Sequence, residues 1–153
     1  MPKQSMRCKY ILVGLTMKTY SELSKLKTFE ERYEYLKESG AVGVETFGFD
    51  RYANQALYNS REWKKVRDQV IIRDGGCDLG IEGRDIPQNV LVHHINPITM
   101  EQVINRDPLI FDPDNLITVS HRTHNAIHYG DKDQLLSGPV ERSKGDTCPW
   151  KTI

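Results

Sequence analysis

All five histidines of the chain, at positions 93, 94, 121, 124 and 128, fall within residues 90–130. Two of them, His93 and His94, are adjacent at the end of the apolar run Val90-Leu91-Val92. Two more, His124 and His128, stand four residues apart. Side chains at that spacing share one face of a helix, so their imidazoles can hold a single ion. Neighbours on a strand point to opposite faces, so His93 and His94 cannot easily ligate the same ion. One of the two can be a ligand while the other takes a proton. Three ring nitrogens around an open position are what a catalytic divalent metal needs. The window therefore calls for a fold in which a strand and a helix converge.

The rest of the composition narrows the class. A chain of 153 residues fits one domain, with arms. Its formal net charge is +0, so any nucleic-acid binding must come from a local patch rather than a general basic field. No apolar run approaches the length of a membrane span, and residues 10–15 are too short and too poorly flanked for a signal peptide. Three widely spaced cysteines, an odd number, suit a reducing cytoplasm better than a disulfide framework.

Along the chain, residues 1–19 form an arm with strand-like content over 9–17. Helical patterning starts near Tyr20. Thr28-Phe29-Glu30-Glu31 reads as a capping box. Phe29, Tyr33 and Leu36 then form one apolar face, and Gly40 is a stop signal. After a turn-rich connection over 43–48, a short helix is expected over 52–58. Ser60 caps the clearest helix, in which Trp63, Val66, Val70 and Ile71 line one face and Gly75-Gly76 ends the run. Its other face holds Arg61, Lys64, Lys65, Arg67 and Arg73 against Glu62 and Asp68, five positives less two negatives, or +3. That face is a candidate nucleic-acid surface as well as an ordinary solvated one. Residues 77–79 and 90–94 read as two short strands joined by a loop over 80–89. A short helix follows over 99–105, then a turn at Asp112-Pro113-Asp114-Asn115 and an apolar segment over 116–119, strand or tight turn. Ser120 caps a helix running to Tyr129, and the tail from 131 is polar and irregular.

With the residues laid out in this way, the window resembles the HNH endonucleases. Their ββα-metal motif has a strand bearing a ligand next to a general-base His, then an Asn, then a helix with the metal histidine. Here the strand bears His93 and His94, the Asn is Asn115, and the helix bears His124, with His128 matching the further histidine of the HHNHH-type pattern. Asp50-Arg51-Tyr52, Tyr58-Asn59-Ser60-Arg61-Glu62-Trp63 and Thr123-His124-Asn125-Ala126-Ile127-His128-Tyr129-Gly130 are similar to a small bacteriophage-encoded branch of that family. The likeness runs over about residues 20–150.

The resemblance implies an α+β chain. A ββα-metal core at 75–130 would carry a helical extension at 20–74, the arm at 1–19 and the tail at 131–153. It implies a DNA endonuclease giving 5′-phosphate and 3′-hydroxyl ends, in the cytoplasm of a host bacterium. His94 would be the general base, and Asn115 would fix its orientation across the loop. His93, His124 and His128 would hold a divalent ion (zinc, nickel, manganese or magnesium). Arg61, Lys64, Lys65, Arg67 and Arg122 are the candidate contacts to double-stranded DNA. The large terminase subunit of a phage is the implied protein partner, and no membrane is involved. Many members flank the motif with two Cys-x-x-Cys knuckles around a structural zinc. The equivalent stretches here read Cys77-Asp78-Leu79-Gly80 and Ser120-His121-Arg122-Thr123, so no structural zinc is expected. Trp63 is expected in the core, and His121 outside the ligand set. The competing expectation is a metal-stabilised DNA- or protein-binding assembly module without nuclease activity.

Overall fold

The computed structural model describes residues 17–38 and 51–135, with the backbone alone for 51–54. The strand-like content expected before residue 17, the stop at Gly40, the connection over 43–48 and the tail beyond 135 lie outside the described residues. The chain is α+β. Its helices are α1 (Tyr20–Leu23), α2 (Phe29–Leu36), α3 (Arg51–Asn59), α4 (Arg61–Arg73), α5 (Met100–Ile104) and α6 (His121–Tyr129), and its strands are β1 (Leu91–His94) and β2 (Leu116–Val119). Short 3-10 turns occupy Asp78–Gly80, Pro108–Phe111, Pro113–Asn115 and Lys132–Gln134.

Side-chain oxygens set most helix starts. Thr28 and Glu31 close a capping box on α2, and Thr99 and Gln102 close one on α5. Ser60 and Ser120 each accept from the third backbone N–H that follows, at the starts of α4 and α6. Gly130, at φ +63°, ends α6 in the left-handed region.

β1 and β2 form one antiparallel pair, with Leu91 opposite Val119, Val92 opposite Thr118, His93 opposite Ile117 and His94 opposite Leu116. Side chains alternate between the faces, so the sheet divides the core in two. On one face Leu91, Ile95, Ile117 and Val119 pack with Leu23, Phe29, Tyr33 and Leu36 from α1 and α2, and with Ala126 and Ile127 of α6. On the other, Val92 and Leu116 pack with Trp63, Val66 and Val70 of α4. β2 is buried along its whole length.

The strand expected at 77–79 does not form. Cys77 makes a single bridge to Asp85, residues Asp78–Gly80 turn, and β1 takes β2 as its partner. The reason is local. Leu79 sits at φ +52° with its side chain fully buried, a conformation that ends extended backbone.

Buried polar clamps hold this small sheet in place. Asp74, 5 % exposed, accepts from the Thr118 N–H at 2.8 Å and pairs with Arg73 at 2.7 Å. Arg73 also donates to the carbonyls of Pro113 and Leu116, and its guanidinium lies 3.3 Å over the Tyr20 ring. Arg73 was grouped with the basic outer face, but it turns inward at the last residue of α4. Asp78 accepts from the Ser120 N–H (3.0 Å), the Ser120 hydroxyl (2.9 Å) and the Thr123 hydroxyl (2.5 Å). One carboxylate thus ties together the stretches at 77–80 and 120–123. Arg32, 8 % exposed, donates to the carbonyls of Leu79 and Leu26.

Candidate metal centre

His93 and His94 leave β1 on opposite sides. His93 faces α6, with its ring centroid 5.3 Å from His124 and 4.9 Å from His128. His94 faces α4, stacked on Trp63 at 5.2 Å with 27° between the planes. On α6 the i, i+4 spacing brings the Nε2 atoms of His124 and His128 to 3.1 Å. One nitrogen from each of His93, His124 and His128 lies within 4.8 Å of the others. His93 is 5 % exposed, and its buried Nε2 has no hydrogen-bond partner. A buried nitrogen left without a partner costs free energy unless something fills that role.

A divalent cation fits these residues. Two nitrogens bound tetrahedrally at about 2.0 Å from one ion would lie about 3.3 Å apart, close to the His124–His128 separation. The donor set is all imidazole, which suits zinc or nickel better than an oxygen-seeking ion. Burial, and then the neighbouring histidines, push the His93 imidazole well below its usual range. Burial followed by His128 lowers His124 in the same way. Both rings are thereby kept in the unprotonated form that a ligand requires.

The tautomer of His128 follows from its other neighbour. Its Nδ1 is 3.1 Å from Oε2 of Glu38. A carboxylate can only accept, so Nδ1 is the donor, and in the neutral ring Nε2 is left with its lone pair toward the cluster.

His94 is 8 % exposed. Its Nε2–H donates to the Ile110 carbonyl at 3.1 Å, which leaves Nδ1 as the acceptor nitrogen. Burial pushes the ring down to about 4, against which the carbonyl bond acts weakly. Asn115, 2 % exposed, spends its side-chain hydrogen bonds on residues other than His94. Its Oδ1 accepts from the Asn96 N–H at 3.0 Å and the Asn96 amide at 2.7 Å, and its Nδ2 donates to the Leu109 carbonyl at 3.2 Å. Asn115 thus joins the loop after His94 to the turn that supplies the Ile110 carbonyl.

The basic candidates fall in two groups. Arg61, Lys64, Lys65 and Arg122 are exposed. Arg67 is half-buried and already donates to the Val90 carbonyl at 3.1 Å. His121 is exposed, 3.3 Å from the Asn125 amide and outside the cluster. Trp63 is 4 % exposed and belongs to the core. Glu38, Asn96, Asp78 and the Ile110 carbonyl did not emerge from the sequence. Each acts through a partner distant in the chain, and only Asp78, inside a knuckle-like stretch, stood near a recognisable signal. No helix among the described residues is long and apolar enough to cross a membrane. Comparison with family models, curated proteins and solved structures gave no match.

Proposed function

We propose that the chain is a metal-dependent endonuclease of the HNH type, built on a ββα-metal core. It would hydrolyse phosphodiester bonds of double-stranded DNA to leave 5′-phosphate and 3′-hydroxyl ends. The observation that carries this reading is the divergence of two adjacent histidines. His93 joins His124 and His128 in a set of nitrogens able to hold an ion, while His94 is committed elsewhere through Nε2 with Nδ1 left as an acceptor. A purely structural ion has no need of a second, separately held imidazole on the same strand.

In this mechanism Nδ1 of His94 takes a proton from water as the water oxygen bonds to phosphorus and the bond to the 3′ oxygen breaks. The departing oxygen is protonated by solvent. The Ile110 carbonyl holds the ring in place and stabilises the imidazolium that forms. With its ring pushed to about 4, His94 is unprotonated throughout the neutral range. The negative charge of an incoming phosphate favours the imidazolium, which strengthens the base once substrate is bound. A divalent cation held by His93, His124 and His128 would supply charge stabilisation at the scissile phosphate and the leaving oxygen. Lys64, Lys65, Arg61 and Arg122 are the exposed cations assigned to the DNA backbone. A phage origin and a partnership with the large terminase subunit rest on the motif resemblance alone.

The test is incubation of purified protein with supercoiled plasmid and magnesium, manganese, nickel or zinc. Relaxed or linear DNA from wild type, and none from His94→Ala, is expected. A second reading draws on the burial of His94 against Trp63, which also suits a satisfied core histidine. There the protein is a metal-stabilised DNA- or protein-binding assembly module. Metal-loaded wild type that leaves the plasmid intact with all four ions would favour the module.

A further inference from the structure

We propose that Glu38 is the positioning residue of the metal centre, fixing the tautomer and orientation of His128 so that Nε2 is offered to the ion. The assignment rests on the metal-binding half of the functional reading, not on cleavage.

Three contacts hold Glu38 against the end of α6. Its backbone N–H donates to the Ile127 carbonyl at 3.0 Å. Its own carbonyl lies where a Cβ on Gly130 would come within 2.8 Å, so the approach is open only because residue 130 is glycine. Its carboxylate meets Nδ1 of His128 at 3.1 Å, across 90 residues of sequence. The two side chains are 20 % and 27 % exposed, far less than in an ordinary surface pair. The backbone contacts fix the point from which the Glu38 side chain leaves, beside the end of α6.

The chemistry follows from the acceptor-only nature of a carboxylate. Nδ1 of His128 must donate, so in the neutral ring Nε2 is bare, and it lies 3.1 Å from Nε2 of His124. With the carboxylate removed, the His128 ring can take the other tautomer, which places a proton where the ion must bind. Carboxylates behind metal-bound imidazoles orient the ring and raise its basicity, and their loss typically weakens metal binding about 10–100-fold.

The experiment titrates zinc and, separately, nickel into chelator-stripped wild type, Glu38→Ala and Glu38→Gln by calorimetry. Thermal melts of the metal-free proteins run alongside. Glu38→Ala is expected to bind about 10–100-fold more weakly. Glu38→Gln should recover part of that loss, because its amide oxygen still accepts from Nδ1–H. The metal-free melting temperatures should not follow this order. Unchanged affinity in Glu38→Ala overturns the assignment, as does a wild type that binds neither ion. Should Glu38→Ala fail to fold, long-range nitrogen–proton NMR of wild-type His128 decides the matter. A proton on Nδ1 in the metal-free protein supports the assignment, and a proton on Nε2 overturns it. Protein that depends on Glu38 for zinc but cuts no DNA keeps this assignment and removes the nuclease reading. Protein that cuts DNA with unchanged affinity in Glu38→Ala does the reverse.

Discussion

His93 and His94 are consecutive residues of one strand, yet one ring stands among the α6 histidines and the other lies flat on Trp63 of α4. Each substitution should therefore fail differently. His94→Ala is expected to abolish plasmid cleavage while binding metal like wild type, whereas His124→Ala should lose both. Calorimetric titration beside the plasmid assay checks the contrast, and equal loss of metal by both variants would reverse the assigned roles.

Asn115 joins the Asn96 loop to the Leu109 carbonyl and is 2 % exposed. Asn115→Ala strands buried donors and acceptors, at a cost of about 1–3 kcal/mol. It also frees the turn that supplies the Ile110 carbonyl to His94. Urea unfolding should register the stability loss. Under conditions where the variant is folded, cleavage should still be slower, and wild-type cleavage would limit Asn115 to a structural role.

Lys64 and Lys65 are exposed on α4, whereas Arg73 on the same helix is bound to the Pro113 and Leu116 carbonyls and to Asp74. Replacing both lysines should weaken DNA binding and flatten the dependence of log affinity on log salt, by about one unit of slope per lost phosphate contact. Arg73→Ala should lower stability and leave the slope alone. An unchanged slope in the double lysine variant would move the DNA path off this face.

Asp78 collects three donors from the start of α6. Asp78→Ala leaves Ser120 and Thr123 without that acceptor and should destabilise the protein by about 1–3 kcal/mol. Chemical denaturation of chelator-treated protein measures it. A midpoint equal to wild type would mean that Ser120 caps α6 without help.

His94 is held at about 4 by burial, below the ordinary histidine value of 6.5. In that interval the unfolded chain binds more protons than the folded one, so stability is complete above about pH 6.5 and falls as pH drops toward 4. A shift of this size corresponds to roughly 3 kcal/mol. His93 and His124 are lowered in the same direction and add to the effect. Urea unfolding of metal-free protein at stepped pH should trace the slope, and a flat profile over that range would contradict a buried neutral His94.

Local signals were legible and distant ones were not. Ser60, Thr28 and Ser120 announced their helices because a cap needs only the next three residues. The strand at 90–94 could be seen, but its partner could not. Residues 77–79 read as a strand and 116–119 as strand or tight turn, whereas β1 pairs with 116–119 and the chain turns at the buried left-handed Leu79. Helical spacing made the His124–His128 pair readable. It also misplaced Arg73, since periodicity says where a Cβ points and not which carbonyls a long guanidinium reaches from the last turn. Glu38 had no signal, because the contact that defines it spans 90 residues.

A ladder of four residue pairs is little to hold a register, and sliding β1 by a single position would send every side chain to the opposite face. Here that slip would turn His94 toward α6 and His93 toward Trp63. Asn115 on Asn96 ties the end of β1 to the entry of β2, while Asp74 on Thr118 and Arg73 on Leu116 hold β2 to the end of α4. On the proposed roles, such a slip would leave a folded protein whose two imidazoles had traded jobs.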